Sequence, residues 1–230
     1  MIKRFLNSIA RLLHIKRRFF ITSADGESVA VHISYAITVC NEAESLRRLL
    51  DCIIPYCRQG DEIIVQADSE HITEEVQQVI QNYQSKLTTF SEHALNYDFS
   101  QAKNHLNVLC HGDWIFQLDA DECPQAWLMK HLQAILYVNK DAELVKIPRI
   151  NQFVNEDGKL IESHVSWPDY QGRLYRNIPQ RICWHRPLHE KIQGYKAYIY
   201  LPKEDCYAIR HIKEKKQDKA KWQSWKEHYA

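Results

Sequence analysis

Short apolar runs alternate with helical patterns of apolar residues along the first part of the chain. Residues 35–39 and 62–66 are short, apolar and rich in β-branched side chains, as buried strands are. The segment between these runs repeats apolar residues at helical spacing and ends at a proline, the residues being Leu46, Leu49, Leu50, Ile53, Ile54 and Pro55. Because strand and helix patterns follow one another, we predict parallel strands that are joined by right-handed helical crossovers.

The same alternation continues as far as residue 148 and then stops. It predicts further helices over residues 72–83, 100–110 and 125–137, and further strands over residues 87–90, 114–118 and 144–148. Beyond this region the pattern predicts a hairpin turn at residues 155–158 and an irregular loop at residues 167–168. It then predicts two short strands, at residues 173–176 and 181–184, and a Lys-rich helical tail from Ile212 onward. The chain is therefore predicted to combine a regular α/β half with a less regular second half.

Acidic and amide side chains follow three of the predicted strands at the point where each strand ends. They are Asn41, Asp68, Asp119 and Asp121. The carboxyl ends of parallel strands meet at one edge of a sheet, where ligands of such sheets bind. Two neighbouring acids repel each other unless a cation joins them, and hard divalent cations prefer oxygen ligands. We therefore predict a divalent-cation site at the end of the strand that precedes Asp119.

Some of these side chains also admit a purely structural interpretation. Asn41 and Glu44 have the spacing of a capping box for the following helix, and Glu42 shares this ambiguity. Asp68 is a residue type that is favoured at helix N-caps. Capping and ligand binding both stay open for these residues at the level of the sequence.

Charge and cysteine usage restrict the class of protein. The 230-residue chain has 30 Lys plus Arg against 29 Asp plus Glu, so its net charge gives no reason to expect a nucleic acid as partner. Its seven cysteines form no CxxC pair, which argues against a disulfide framework and a zinc site and favours a reducing cytoplasm. A chain of this length can bury its core within one compact domain.

The two ends of the chain carry local signs of a membrane surface. Residues 1–20 contain basic residues and no acid, and their apolar side chains share one helix face. Such a helix either lies on an anionic bilayer or packs on the domain. Trp222 and Trp225 stand among lysines near the other end. Since no apolar run is long enough for a signal peptide or a spanning helix, we expect a cytoplasmic protein with peripheral contact to the inner face of the membrane.

Several motifs occur in order along the chain. They cover residues 38–42 (TVCNE), 63–68 (IIVQAD), 98–104 (DFSQAKN), 112–114 (GDW), 119–122 (DADE), 173–176 (RLYR) and 189–190 (HE). With these motifs, the chain resembles the family 2 glycosyltransferases over residues 33–192. The resemblance implies the GT-A fold, a Rossmann-like α/β architecture with a mixed, mostly parallel sheet flanked by helices. Within the family, the chain is most similar to bacterial transferases that add a hexose to the lipopolysaccharide inner core, and to related phage-encoded transferases.

The resemblance also implies roles for individual side chains. Asp121 would hold Mg²⁺ or Mn²⁺, Asp119 would approach the ribose or a metal-bound water, and His189 is a candidate for a further metal or phosphate contact. The side chains expected to line the nucleotide-sugar site are Asn41, Glu42, Asp68, Lys103, Asp119 and Arg173. Asp68 stands one position after the usual family acid, where this chain has Ala67. Lys103 stands where the family commonly has Arg, and its alternative is a solvated helix face.

Inversion at an anomeric carbon requires a base that deprotonates the acceptor hydroxyl from the face opposite the departing nucleotide. Asp169 is the first candidate, because it precedes Arg173 in a predicted loop that we expect to border the acceptor. Glu190 is the second candidate.

We therefore expect a metal-dependent, inverting hexosyltransferase that uses a nucleotide-diphosphate sugar, with UDP-sugars favoured, and a glycan or lipid-linked acceptor of the lipopolysaccharide-core type. The expected parts are a basic amphipathic segment (1–32), a GT-A domain (33–210) with a nucleotide-sugar half (33–122) and an acceptor half (123–210), and a Lys/Trp-rich helix (211–230). Two alternatives stay open. One is a non-catalytic relative that binds carbohydrate or a partner, and the other is a sugar-phosphate nucleotidyltransferase, which would need a Gly-rich phosphate loop at residues 40–43.

Overall fold

A computed structural model describes residues 31–154, 159–163 and 167–214 of the chain. The predicted amphipathic helix at the start, the predicted turn over residues 155–158 and the Lys/Trp-rich segment after residue 214 lie outside these residues. Within the described ranges, no helix has the length and apolar character that crossing a lipid bilayer requires.

The first half of the fold is a parallel sheet that is covered by helices. Its elements are β1 (Ile33–Val39), α1 (Ala43–Ile53), β2 (Glu62–Ala67), α2 (Glu74–Tyr83), β3 (Thr89–Glu92), α3 (Phe99–Val108) and β4 (Trp114–Asp119). The strands lie in the order β3, β2, β1, β4, and each neighbouring pair is parallel. The predicted alternation of strands and crossover helices is confirmed. β3 begins later than predicted, because a 3-10 turn over Gln84–Lys86 follows α2.

The second half extends the same sheet with strands of both directions. Its elements are β5 (Glu122–Pro124), α4 (Ala126–Val138), β6 (Leu144–Val154), β7 (Leu160–Ser163), β8 (Asp169–Arg176), β9 (Cys183–His185), β10 (Lys191–Gln193), β11 (Tyr198–Tyr200) and β12 (Ile209–Glu214). From β4 the sheet continues in the order β8, β6, β12, β5, and β8 is antiparallel to both β4 and β6. β9 and β10 form a separate antiparallel pair outside this sheet. The predicted mixed α/β sheet flanked by helices is therefore confirmed.

Two local predictions for this half are wrong. Asp169 is the first residue of β8 and not part of a loop. Residues 212–214 belong to β12 and not to a helix, because β12 pairs in parallel with β6 and also pairs with β5 on its other edge. Pairing with neighbouring strands satisfies the backbone hydrogen-bonding groups of β12. The Lys-rich composition of this segment does not reveal such pairing.

Both faces of the parallel sheet are buried. Along β1, Tyr35 belongs to a core that includes side chains of α1, α2 and α4, whereas Ala36 packs on the other face with Leu106 of α3. Alternate residues of a strand point to opposite faces, so a strand at this position is mostly apolar on both faces. This double burial holds the strand ends in register, with Thr38 of β1 directly beside Asp119 of β4.

The turn between β1 and α1 is organised by Glu42. Its carboxylate accepts hydrogen bonds from the backbone N–H groups of Cys40 and Asn41, at 2.9 and 3.1 Å. Glu44 forms an ion pair with Arg47, so the predicted Asn41–Glu44 capping box is wrong. In a phosphate-binding loop such N–H groups would face the phosphate. Their occupation by an internal carboxylate argues against the nucleotidyltransferase alternative.

Candidate active site

A cavity of about 710 Å³ lies at the carboxyl ends of β1, β2 and β4. Its first wall comes from these strands and α3, and its second wall comes from β6, β8 and residues 188–195. Nine of the ten predicted site residues line it, namely Glu42, Asp68, Lys103, Asp119, Asp121, Asp169, Arg173, His189 and Glu190. The tenth, Asn41, is exposed and is not among the lining residues. The fold thus gathers these side chains around one cavity, and their individual roles stay predictions.

Asp119, the last residue of β4, is bound on both of its carboxylate oxygens. Oδ1 accepts a hydrogen bond from the Thr38 hydroxyl at 2.9 Å and lies 3.0 Å from Lys103 Nζ, while Oδ2 accepts from Arg173. Burial alone would raise the pKa of Asp119, but the charges of Arg173 and Lys103 hold it well below its usual range. Asp119 is therefore a permanent anion that protein groups already neutralise.

Lys103 is the buried cation between the two walls of the cavity. Only 1% of its side chain is exposed, and Nζ lies 2.7 Å from Glu190 and 4.8 Å from the centre of the Trp184 ring. The alternative of a solvated helix face is therefore wrong. Because Lys103 bridges Asp119 and Glu190, its charge stabilises two carboxylates of the protein, and it joins α3 to the segment before β10.

Arg173 and Glu122 form a second buried ion pair beneath the cavity. The Arg173 guanidinium donates to Glu122 Oε1 from both Nη2 and Nε, at 2.7 and 3.2 Å, and Glu122 is fully buried. Arg149 also donates to Glu122, at 3.2 Å. Burial would lower the pKa of Arg173, but Asp119 and Glu122 raise it above its usual value. Glu122 thus holds two arginines in place by ion pairs. Its position in the sequence, directly after Asp121, did not indicate this role.

Asp169 is held by three side chains at the start of β8. Arg149 donates to its Oδ2 from Nη2 and Nε at 2.7 and 3.0 Å, Asn151 donates to the same oxygen at 3.2 Å, and Gln171 donates to Oδ1 at 2.7 Å. Burial raises the pKa of Asp169, but the Arg149 charge and these hydrogen bonds lower it overall. The side chain is therefore ionised and held in one orientation.

The ion-paired cluster on one side of the cavity contains more carboxylates than cations. The described groups of this cluster are the cations Lys103, Arg149 and Arg173 and the carboxylates of Asp119, Glu122, Asp169 and Glu190. Four carboxylates thus face three cations, and Asp121 adds a further negative charge at the same sheet edge. The surplus is local to this cluster, because three further lysines line other parts of the cavity, and local negative charge favours the binding of a cation.

Asp121 lies against a histidine that the sequence analysis missed. Its Oδ2 is 3.0 Å from His211 Nε2, and its backbone carbonyl accepts from the N–H of Ile212 at 2.9 Å. His211 Nδ1 lies 2.9 Å from the amide oxygen of Asn151, which can only accept, so Nδ1 is the protonated nitrogen. His211 was missed because the chain from Ile212 onward was predicted to be helical. Prediction of a strand over residues 209–214 would have placed His211 on a buried face of the sheet.

Asn151 connects His211 to Asp169 through its side-chain amide. Its amide oxygen accepts from His211 and its amide nitrogen donates to Asp169. His189, the predicted nitrogen ligand, also lines the cavity and has a left-handed backbone conformation, with φ of 55°. Three histidines thus line the cavity, His93, His189 and His211, and Nε2 of His211 lies 3.0 Å from Asp121 Oδ2.

Asp68 organises loops at the other end of the cavity. Its carboxylate accepts from the backbone N–H groups of Glu70 and Leu95, at 3.3 and 3.1 Å, and lies 2.8 Å from His71 Nδ1. The cap of α2 is Thr73, so the alternative in which Asp68 caps this helix is wrong. Only 7% of Asp68 is exposed, so His71 is the more accessible polar group of this pair.

A family model for glycosyl transferase family 2 matches residues 34–197. No protein of curated function matches the chain. Among solved structures, residues 1–349 of S. aureus TarS in complex with UDP-GlcNAc match with a TM-score of 0.58 at 14% identity, over 79% of this chain and 58% of that chain. The complex of the same protein with UDP matches with a TM-score of 0.57 at 13% identity, over 79% and 60% of the two chains.

The chain thus spans less than two thirds of the TarS structures that it matches. At this level of identity the structural likeness shows the fold, and the match to the family model, which covers most of the chain, shows the family. The described sheet, with its parallel first half and mixed second half, agrees with both findings. The chain has the GT-A fold and belongs to glycosyl transferase family 2.

Proposed function

We propose that this protein is an inverting glycosyltransferase that moves a hexose from a nucleotide-diphosphate sugar, with UDP-sugars favoured, to a glycan or lipid-linked acceptor. The observation that carries the proposal is the contact of Asp121 with His211 beside a cluster in which carboxylates outnumber cations. Such a site suits a donor whose diphosphate arrives together with a cation. The UDP-GlcNAc complex of the structurally similar TarS supports the choice of donor class.

Asp121 and His211 are the residues that we expect to hold Mg²⁺ or Mn²⁺. A carboxylate oxygen and an imidazole nitrogen are suitable ligands. Nδ1 of His211 donates to Asn151, so Nε2, which lies 3.0 Å from Asp121, is the nitrogen left to bind a cation. Asp119 is less suited, because its oxygens are already bound by Thr38, Lys103 and Arg173. When bound, the cation would neutralise the negative charge that develops on the diphosphate leaving group.

Asp169 is the residue that we propose as the base. As the bond between the acceptor oxygen and the anomeric carbon forms, the bond to the diphosphate breaks and the hydroxyl proton passes to the carboxylate. Arg149 and Asn151 hold Asp169 in place but lower its basicity, so it would act as an oriented acceptor of modest strength. Glu190, which is paired with Lys103, is the alternative base.

We extend the proposal to an acceptor of the lipopolysaccharide-core type, because residues 96–104 and the pair His189–Glu190 resemble that subgroup. In this case the protein would act at the cytoplasmic face of the inner membrane. The basic residues at the start of the chain, and the helical spacing of the apolar residues among them, support such a location.

The test is release of nucleoside diphosphate from a panel of UDP-, GDP-, ADP- and dTDP-sugars with and without Mn²⁺. We expect wild-type protein to release UDP and Asp121→Asn to lose the stimulation by Mn²⁺. Glu204→Gln, which changes an exposed acid outside the cavity lining, is the matched control. If wild-type protein releases no nucleoside diphosphate from any donor, the result favours a non-catalytic family member that binds carbohydrate or a partner.

A further inference from the structure

Four tyrosines form a row at the second wall of the cavity, and two of them contact Lys146. We call them the tyrosine platform, which consists of Tyr170, Tyr195, Tyr198 and Tyr200. Lys146 Nζ lies 4.8 Å from the centre of the Tyr198 ring, 5.2 Å from the centre of the Tyr200 ring and 3.5 Å from the Tyr200 hydroxyl. This arrangement places one ammonium group within a continuous aromatic surface.

The rings contact one another edge to face. The ring centres of Tyr170 and Tyr200 are 4.6 Å apart at 72°, and those of Tyr198 and Tyr200 are 5.6 Å apart at 78°. Tyr195 continues the row, with its ring centre 5.7 Å from that of Tyr198. The Tyr170 hydroxyl donates to the carbonyl of Leu201 at 3.0 Å, which fixes the inner end of the platform. The platform is therefore preorganised, and binding would cost little side-chain entropy.

The platform lies partly in the cavity and partly at the protein surface. Lys146, Tyr170 and Tyr195 line the cavity, whereas Tyr198 is 45% exposed on β11. β11 lies in parallel beside β6, and Tyr200 is the register partner of Lys146. A chain of sugars that ends in the cavity could therefore extend across the platform into solvent.

Lys146 differs from the three cations of the cavity lining that form buried ion pairs. Lys103, Arg149 and Arg173 are each within ion-pair distance of a carboxylate. In the part of the chain that the structure describes, no carboxylate lies within 4.0 Å of the Lys146 ammonium. Its contacts within the described residues are the Tyr198 and Tyr200 rings and the Tyr200 hydroxyl, which attract a cation weakly compared with an anion.

We propose that the tyrosine platform binds the acceptor, and that this acceptor is a glycan whose sugar over Lys146 carries a phosphate or a carboxylate. The inference rests on the proposed transferase function and deepens it by naming the acceptor class. The tyrosine rings supply flat apolar faces for the CH faces of sugar rings, with hydroxyls at their edges. The Lys146 ammonium supplies the charge that selects an anionic glycan over a neutral one.

The test is binding of the full-length protein to an array of phosphorylated, uronate-bearing and neutral oligosaccharides. We expect wild-type protein to prefer at least one anionic class over the neutral class by about tenfold, and the two anionic arms identify which anion is bound. Lys146→Met should abolish the preference, Lys146→Arg should keep it, and Tyr198→Ala should lower binding to every class by about tenfold. The matched controls are Lys130→Met and Tyr137→Ala, both exposed on α4.

The same samples separate this inference from the proposed function. Release of UDP by the wild-type protein, measured without acceptor, reports the donor chemistry alone. Wild-type protein that releases UDP but binds no anionic glycan preferentially would overturn the inference and leave the proposed function intact. A preference that Lys146→Met abolishes, in protein that releases no UDP, would support the platform and contradict the transferase. A preference that survives Lys146→Met would overturn the assignment to Lys146.

Discussion

The Nε2 atom of His211 lies 3.0 Å from a carboxylate oxygen of Asp121, although 90 positions separate the two residues in the chain. The contact exists because β12 enters the sheet between β6 and β5, the strand that follows Asp121 directly. Asn151 of β6 holds the other nitrogen of the imidazole. Three segments that are distant in sequence thus form one polar site.

Substitution of His211 tests this site directly. We expect His211→Ala to weaken Mn²⁺ binding in the presence of UDP by at least about tenfold, since loss of a second-shell partner alone costs about 10- to 100-fold. The measurement is calorimetric titration of Mn²⁺ into protein with UDP. His111→Ala is the control, because His111 is exposed and lies outside the cavity lining. Unchanged Mn²⁺ affinity in His211→Ala would transfer the ligand role to His189.

Removal of the Lys103 charge should destabilise the fold. Lys103→Met would leave Asp119 and Glu190 without their shared cation, and breaking a buried ion pair from one side costs about 3–5 kcal/mol. The measurement is the free energy of unfolding in urea. Lys130→Met on the exposed face of α4 should change it by less than about 0.5 kcal/mol.

A second substitution separates loss of charge pairing from loss of packing. Addition of Glu190→Gln to Lys103→Met removes one of the two carboxylates that lost their contact with Lys103. The double variant should therefore be more stable than Lys103→Met alone. Equal or lower stability of the double variant would show that Lys103 stabilises the protein through its packing on Trp184.

The pH dependence of stability should reveal the ionised state of Asp169. Its folded-state pKa is lowered, so its ionisation stabilises the protein above the unfolded pKa of about 3.9 and this contribution is lost as the pH falls through the folded pKa. We therefore expect wild type to exceed Asp169→Asn in stability at neutral pH, and the difference to shrink below about pH 4. Urea unfolding at a series of pH values measures this difference in the free energy of unfolding. A difference that stays constant down to low pH would contradict the lowered pKa.

Catalysis should distinguish the two candidate bases. Asp169→Asn should lower kcat by about 10²- to 10⁴-fold while the affinity for UDP is retained, because a base acts on the acceptor proton in the transition state. Glu190→Gln should lower kcat less and should also weaken folding through loss of the Lys103 contact. The measurement is steady-state transfer together with UDP titration. Normal turnover in Asp169→Asn would assign the base to Glu190.

Much of the first half of the fold could be predicted from local pattern. The run before Asp119 is apolar on both faces, and only a strand covered on two sides accommodates such a run. The placement of Asp68, Asp119 and Asp121 near one edge followed from parallel strand direction. The Asn41–Glu44 spacing, by contrast, wrongly predicted a capping box, because the Glu42 carboxylate binds the backbone N–H groups of this turn.

Other features depended on contacts that no local pattern encodes. Lys103 has the sequence context of an exposed helix residue, and it is buried because Asp119 and Glu190 converge on it from two other elements. Asp169 was expected in a loop, and its pairing with Arg149 across β6 and β8 makes it part of the sheet. Charge pairs of this kind are set by which strands become neighbours.

The sequence alone determined that this is an α/β chain of glycosyl transferase family 2 with acids at the end of a buried strand, because strand alternation and short motifs are local properties. The tertiary structure alone decided which groups surround those acids. Asp119 is neutralised by Lys103 and Arg173, while Asp121 meets His211, because strand order brings residues far apart in the chain within hydrogen-bonding distance. Electrostatic and hydrogen-bond energies depend on those distances, which only the folded sheet defines.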